Sequence, residues 1–369
     1  MTGGSLLGFG VGPAGATTIV NCPSGNLQEA INADVTDATI IVHGTCIGNF
    51  AISESLTLQG SGTLNGAGTG TVLTINAGTV SLKNLTIEDG NSFNAGGIVN
   101  GNPLTGAGGG ALSVTNSTVS DNLYGGIATY GGTLSVTNST VSDNPAPYTA
   151  GYTFAGGGIA SSLATTTVRN STVSDNSGYL VGGGIAAVGG TLSVTNSTVS
   201  DNSGAAYGGG IFNDSTLTLS NSEVLNNTAT DVGGGIFNYT GATVTQPSTD
   251  KGGVSINGNT SGGNGGGIDN EGTVTFYNAA VNKNTAVDGG GIYNDAGSTL
   301  SLSDTSVNHN TASSYGGGIY NNGGAVSLTT SVSINSNTAD TDGGGIYSTV
   351  VLSVPSGDVE HNHPDNTVD

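Results

Sequence analysis

Along most of the chain, short apolar runs alternate with Ser, Thr and Asn at a spacing of two. In "LSVTN" beginning at Leu192, Leu192 and Val194 point one way while Ser193 and Thr195 point the other. That is the mark of a strand with one buried face. The signature recurs as "LSVTN" at Leu112 and Leu134, "LTLSN" at Leu217, "VTFYN" at Val274 and "LSLSD" at Leu300. Two further blocks march with it. The Ile of a Gly-Gly-Ile block falls at Ile98, Ile127, Ile159, Ile185, Ile211, Ile236, Ile268, Ile292, Ile319 and Ile346. An apolar-x-x-Asn block ends at Asn122, Asn144, Asn176, Asn202, Asn227, Asn259, Asn284, Asn310, Asn337 and Asn362. Both series advance by about 25 residues, with longer steps from Asn144 to Asn176 and from Asn227 to Asn259 that mark insertions.

Three strands in about 25 residues are too few residues for a propeller blade, and Ser, Thr, Asn and Gly disfavour a helical repeat. The pattern suits one turn of a parallel β-helix, in which each strand stacks on its equivalent ~4.8 Å further along. Ile211 to Ile346 then form one inward ladder and Val119, Val141, Val173, Val199, Val224, Val281 and Val307 another. Asn stacks at corners because its amide bonds the equivalent amide above and below, and Gly triplets supply positive φ or close approach. About a dozen turns make a rod roughly 55–60 Å long.

The ends differ. "NLQEAINA" from Asn26 is the only good helical stretch, and it suits a cap over the first exposed edge. The division expected is a flexible lead over 1–17, a cap with the first coils over 18–60, and one continuous solenoid over 61–369. At the far end "DVEHN" has no obvious cap, so either the native chain continues, or the end caps itself or docks on a partner. Cys22 and Cys46 flank the helical stretch. An even pair in a Ser/Thr/Asn-rich chain suggests a bridge and an oxidising compartment, against the alternative of two free buried thiols.

Composition narrows the partners. Of 369 residues 67 are Gly and 8% are charged, and Lys83, Arg169, Lys251 and Lys283 stand against 25 acids for a net charge of -21. Nucleic acid and anionic membrane need Lys and Arg to neutralise phosphate, so neither is expected as a partner. No apolar stretch approaches the ~20 residues of a membrane span. The opening "MTGGSLLGFGVGPAGATTIV" lacks the basic start and apolar core of a signal peptide; we read Met1 as other than the native start, with any export signal removed.

"GGGIYN" at Gly289 and Gly316, together with "VxxN", resembles the repeats of polymorphic outer membrane proteins. More broadly the chain resembles right-handed parallel β-helix proteins of the pectate-lyase-like superfamily. "NCPSGNLQEAINA…TIIVHGTC…SLTLQGSGTLNG" is similar to the opening of many exported bacterial β-helix repeat proteins, and the resemblance covers about residues 18–362. It implies an all-β, right-handed, single-stranded solenoid, secreted or displayed at the cell surface. Relatives on this fold include adhesins, lyases and hydrolases, so function does not follow from it.

Four surfaces are candidates. "VSDN" sets Asp121, Asp143, Asp175 and Asp201 at one position of four turns. Like charges about 5 Å apart raise pKa values or recruit a cation, for which calcium is the natural choice; the alternatives are side chains splayed into water or a catalytic pair. The residue after the Gly-block Ile should face outward, giving a strip of Phe212, Phe237, Asp269, Tyr293, Tyr320 and Tyr347, suited to sugar contact or to stiffening the rod. Thr118, Thr140, Thr172 and Thr198, with Ser120, Ser142, Ser174 and Ser200, make a hydroxyl array of the kind found on ice-binding solenoids, broken at Glu223 and Leu225. Asn116, Asn138, Asn170 and Asn196 are sequons expected to face inward and so to escape glycosylation. Arg169, in "VRN", has Thr137 and Thr195 as its outward neighbours, and Lys251 lies in an insertion that could line a cleft.

The reading that results is a non-catalytic extracellular or surface scaffold for adhesion, carbohydrate contact or fibre assembly, requiring no cofactor. Its partner would be a carbohydrate, a cell-surface protein or another copy end to end. It would bind through the aromatic strip or the insertions at 145–153 and 245–253. The alternative is a polysaccharide lyase or glycoside hydrolase using Asp121, Asp143, Asp175 and Asp201, with calcium. Scarcity of basic residues disfavours anionic polysaccharide substrates.

Overall fold

The computed structural model describes residues 15, 17–33, 38–106, 108–147, 156–204, 206–249, 251–329, 331–353 and 359–368. The turns of the solenoid build three parallel sheets of 23, 11 and 8 strands, the smallest beginning at Pro145–Ala146. The Gly-Gly-Ile and "LSVT" blocks share the largest sheet, and run through without a break in Ile159–Arg169, Ile185–Thr195 and Ile211–Ser220. The "TVS" blocks form the second face, for instance Thr172–Ser174 and Thr198–Ser200. Two-residue strands such as Thr228–Ala229 form the third. Register is set by the repeat: Ile211 lies beside Ile236, then Ile268, Ile292, Ile319 and Ile346. A one-residue slip would turn every inward side chain out.

Both expected apolar ladders are fully enclosed, from Ile98 to Ile346 and from Val119 to Val307. Each such Val or Ile contributes about 1.5–3 kcal/mol relative to exposure. The Asn ladder is also present. Asn202 donates its backbone N–H and its amide to Asn227 Oδ1, both at 3.0 Å, and the Asn227 amide donates to Asn259 Oδ1 at 3.0 Å and to Val199 O at 3.0 Å. At the far end Asn366 takes the place of a next rung, accepting from the Asn362 N–H and amide at 3.2 Å. A second buried ladder, Asn213–Asn238–Asn270–Asn294–Asn321, runs in the large sheet at 2.8–2.9 Å per link. Its letters are the last residue of "GGGIFN", "GGGIDN" and "GGGIYN".

The sequons depart from expectation. Asn116, Asn138, Asn170 and Asn196 are exposed, each at φ 49, and link amide to amide on the outside, Asn170 to Asn138 at 3.1 Å and Asn196 to Asn170 at 3.2 Å. The inward place at that corner belongs to the following Ser. Ser117, Ser139, Ser171, Ser197 and Ser222 are buried; the Ser117 hydroxyl accepts the Leu85 N–H, and each of the others accepts the N–H of the Ser one turn back. A left-handed residue reverses the strand alternation, and Asn tolerates that conformation better than Ser.

The helix is Leu27–Ala33, with Leu27 and Ile31 buried. Asn26 Oδ1 accepts the Glu29 N–H at 3.1 Å as its N-cap. Gln28 covers the strand edge below: its amide donates to Ala51 O at 3.0 Å and its oxygen accepts the Ala51 N–H at 2.8 Å. Thr17–Asn21 pairs in parallel with Ala38–His43 ahead of the first full coil, while the lead before it lies almost wholly outside the described residues. Cys22 and Cys46 form a disulfide with Cα atoms 5.1 Å apart. It closes a 24-residue separation. Reduction, or Cys46→Ala, is expected to cost the cap about 3 kcal/mol. A thermal melt with and without reductant reads this; coincident melts would show that the bridge does not stabilise the cap. No helix among the described residues is long and apolar enough to cross a membrane.

Candidate functional site

On the outer surface of the large sheet a row of side chains is flanked on both sides by further residues, a band we term the trough, the row its floor and the flanking residues its walls. Its floor is the position after the inward Ile, which reads Ala186, Phe212, Phe237, Asp269, Tyr293, Tyr320 and Tyr347 in register. One wall is the residue before each Gly triplet: Val181, Tyr207 and Val232, then Asn264 and Asp288, then Tyr315 and Asp342. The other wall lies two residues beyond the floor, at Tyr239, Glu271, Asp295 and Asn322.

The aromatic strip is not uniformly open. Phe212 is 9% and Phe237 3% exposed, because Tyr207 and Tyr239 close over them with ring centroids 5.4 and 6.1 Å from Phe237. Together with Val181 and Ala186 they form a small apolar cluster outside the solenoid core. Tyr293, Tyr320 and Tyr347 remain half-buried and stack on one another, with centroids 4.9 and 5.1 Å apart. Tyr315 braces the last two from the wall, 6.5 Å from Tyr320 and 4.7 Å from Tyr347. The expectation of outward rings holds for direction and fails for exposure in Phe212 and Phe237, since residues of neighbouring turns cover them.

Asp269 interrupts the rings. It lies in register between Phe237 and Tyr293 and is 3% exposed. Burial, reinforced by Glu271 and then Asp295, pushes its carboxyl well above the usual carboxylate range. The flanking acids are all bonded. Thr240 donates to Glu271 at 2.8 Å, Asn322 to Asp295 at 2.9 Å, and the Tyr315 N–H to Asp288 at 3.0 Å. Burial and the carboxylates Asp295, Asp269 and Asp288 likewise push the Tyr293 hydroxyl up, so it stays a hydrogen-bond donor at any physiological pH.

Asp121, Asp143, Asp175 and Asp201 sit at the corner between the second and third faces, each at φ 57 and exposed. Asn226, Lys283, His309 and His361 hold the same left-handed place in later turns. Among the described residues no group of three or more His, Cys, Asp or Glu converges as a metal site. Thr118, Thr140, Thr172 and Thr198 stand in register on the second face with Ser120, Ser142, Ser174 and Ser200, and the array meets Glu223 and Leu225 as expected. Arg169 is exposed with Thr137 and Thr195 beside it.

The insertion after Thr245 makes a second concavity. Gln246 is fully buried and exchanges two hydrogen bonds with the Asn278 backbone, at 2.8 and 3.1 Å. The chain then bulges past Lys251, which is exposed, and walls a groove of about 620 Å³ lined by Asn221, Glu223, Gly253, Ser255, Asn278 and Asp304. Residue 250 and most of the 145–153 insertion lie outside the described residues.

A family model described as right handed beta helix region matches residues 70–250, and one described as the Chlamydia polymorphic membrane protein repeat matches residues 331–349. The stacked parallel turns and these matches define a right-handed parallel β-solenoid. In particular, residues 70–250 form a β-helix region, and residues 331–349 are similar to a repeat of polymorphic membrane proteins. Among solved structures it is similar to a pectin methylesterase from Aspergillus niger, in two deglycosylated forms. Identity is 11% and 12%, coverage 94% of this chain and 93% of the other, and the TM-scores are 0.27 and 0.26. No curated protein matches the sequence.

Proposed function

We propose that the protein is a non-catalytic extracellular or cell-surface scaffold that contacts carbohydrate along this trough. The observation that carries the reading is the tyrosine stack of Tyr293, Tyr320 and Tyr347 with Asp288 and Asp295 beside it. The rings fix one another on a rigid sheet, so little conformational entropy is lost on binding. Their hydroxyls donate and the carboxylates accept, which is the complement of a row of sugar hydroxyls. The polymorphic-membrane-protein-like repeat and the disulfide agree with an oxidising, surface-exposed setting. The reading requires no cofactor; its alternative is a lyase or hydrolase that uses Asp121, Asp143, Asp175 and Asp201 with calcium.

One experiment separates them. The protein, with and without calcium, is applied to immobilised neutral and acidic polysaccharides, and the supernatant is analysed by mass spectrometry. Retention without new oligosaccharides is expected. Tyr320→Ala, which removes the centre of the stack, should weaken retention roughly tenfold while leaving the far-ultraviolet circular dichroism unchanged. Calcium-dependent product lost in Asp143→Asn with Asp175→Asn would replace the scaffold reading with the enzymatic one.

A further inference from the structure

Asp269 differs from every other acid in the trough. Glu271, Asp288 and Asp295 each accept a hydrogen bond, whereas no donor within the described residues reaches the Asp269 carboxyl, although it is nine-tenths or more enclosed. Its oxygens are not sealed in. Among the described residues the one fully enclosed side-chain polar atom without a partner is Asn94 Oδ1, elsewhere on the rod. The carboxyl therefore keeps an opening onto the trough, where it lacks the donor that a buried carboxylate ordinarily has. Among the described residues no Lys or Arg supplies a cation there: Lys83, Arg169, Lys251 and Lys283 are exposed at other positions, and none belongs to the floor or walls.

The surroundings specify the missing donor. Glu271 and Asp295 add negative charge on one side of Asp269, so a cation is favoured over a neutral hydroxyl. Replacing an aromatic residue by Asp at this one rung also ends the ring stack. Tyr293 stacks on Tyr320 on one side and has Asp269 as its in-register neighbour on the other, so a carboxyl and an aromatic ring adjoin at this rung. An aromatic face beside a carboxylate holds an ammonium by charge and by its π-system together, and holds the attached ring by stacking.

We propose that the Asp269 rung is a receptor for the ammonium group of an unacetylated amino sugar, with Asp269 as its counter-charge and Tyr293 as the aromatic ring beside it. This rests on the carbohydrate-contact reading and narrows it to cationic glycans. The test compares binding of glucosamine oligomers, N-acetylglucosamine oligomers and a lysine-rich peptide by calorimetry at low and moderate salt. The wild-type chain is expected to bind the glucosamine oligomer, more weakly as salt rises. Asp269→Asn, isosteric and unable to give up a proton to pair with an ammonium, should lower that affinity roughly 10- to 100-fold while leaving binding of the acetylated oligomer unchanged. Equal affinity of both forms for the glucosamine oligomer would overturn the proposal, as would preference for the peptide over either sugar. Loss of binding to both oligomers in Tyr320→Ala, with Asp269→Asn affecting neither, would keep the carbohydrate reading and discard the ammonium site. Absence of any sugar binding in the wild-type chain would discard both.

Discussion

Asn227→Ala is expected to lower stability by about 3–5 kcal/mol, the largest effect of any single side-chain truncation at a corner. The substitution removes both hydrogen bonds that Asn202 donates to Asn227 Oδ1 and both that the Asn227 amide donates, to Asn259 Oδ1 and to Val199 O. Asn202 and Asn259 are themselves fully buried, so water cannot replace what is lost. Each orphaned group costs about 1–3 kcal/mol, and a ladder of linked amides is polarised along its length. Asn227→Asp provides the chemical control. The carboxylate keeps an acceptor for Asn202 but faces Asn259 Oδ1 and Val199 O without a donor, so it should destabilise more at neutral pH. A buried acid of this kind has a folded pKa above its unfolded one. The stability deficit should therefore shrink as pH falls through the folded pKa toward the ordinary carboxylate range. Denaturant melts at pH 7 and pH 4 measure both. A loss under 1 kcal/mol for the alanine variant would mean the ladder is dispensable. Asn227→Ala combined with Asn259→Ala should cost less than the two singles added together, because they share a bond.

Gly234→Ala is expected to cost a similar 3–5 kcal/mol for a different reason. A Cβ there would lie 2.5 Å from Gly266 O, 2.5 Å from Thr260 O and 2.6 Å from Thr260 C, all backbone atoms of the next turn. Backbone cannot swing aside as a long side chain can, so the two turns must separate, and the inward Ile and Asn rungs loosen with them. Its neighbour Gly233 is needed on other grounds, with φ at +65 where a side chain is strained. The triplet "GGG" thus combines a left-handed turn with close approach. Because solenoid turns contact only their neighbours, the damage should be local. Limited proteolysis is expected to cut Gly234→Ala near residues 228–268 and to leave the wild-type chain intact; an unchanged melt and digestion pattern would contradict the packing described.

Much of this was legible from the letters alone. The strands, their order and the two apolar ladders follow from period-two alternation inside a repeat of about 25 residues, since a strand fixes which side of the chain each residue faces. The Asn ladder from Asn122 to Asn362 was readable for the same reason, and "GGGIFN" already held the second ladder in its final letter. The bridge between Cys22 and Cys46 was readable as well, from an even pair flanking the helical stretch, although spacing says nothing of Cα distance.

Tertiary structure alone decided the rest. The sequon Asn faces outward and the Ser after it takes the inward place, because alternation stops at a left-handed corner and the chain re-enters the next strand on the opposite phase. Phe212 and Phe237 point outward as the pattern requires yet are covered, since exposure of an outward residue depends on Tyr207 and Tyr239 arriving from other turns. Asp269 was visible as the one acid in an aromatic column, but its enclosure and its want of a donor depend on side chains converging from several strands. Direction is a local property of the chain and is written in its period; burial is a property of neighbours, and only the packed turns determine it.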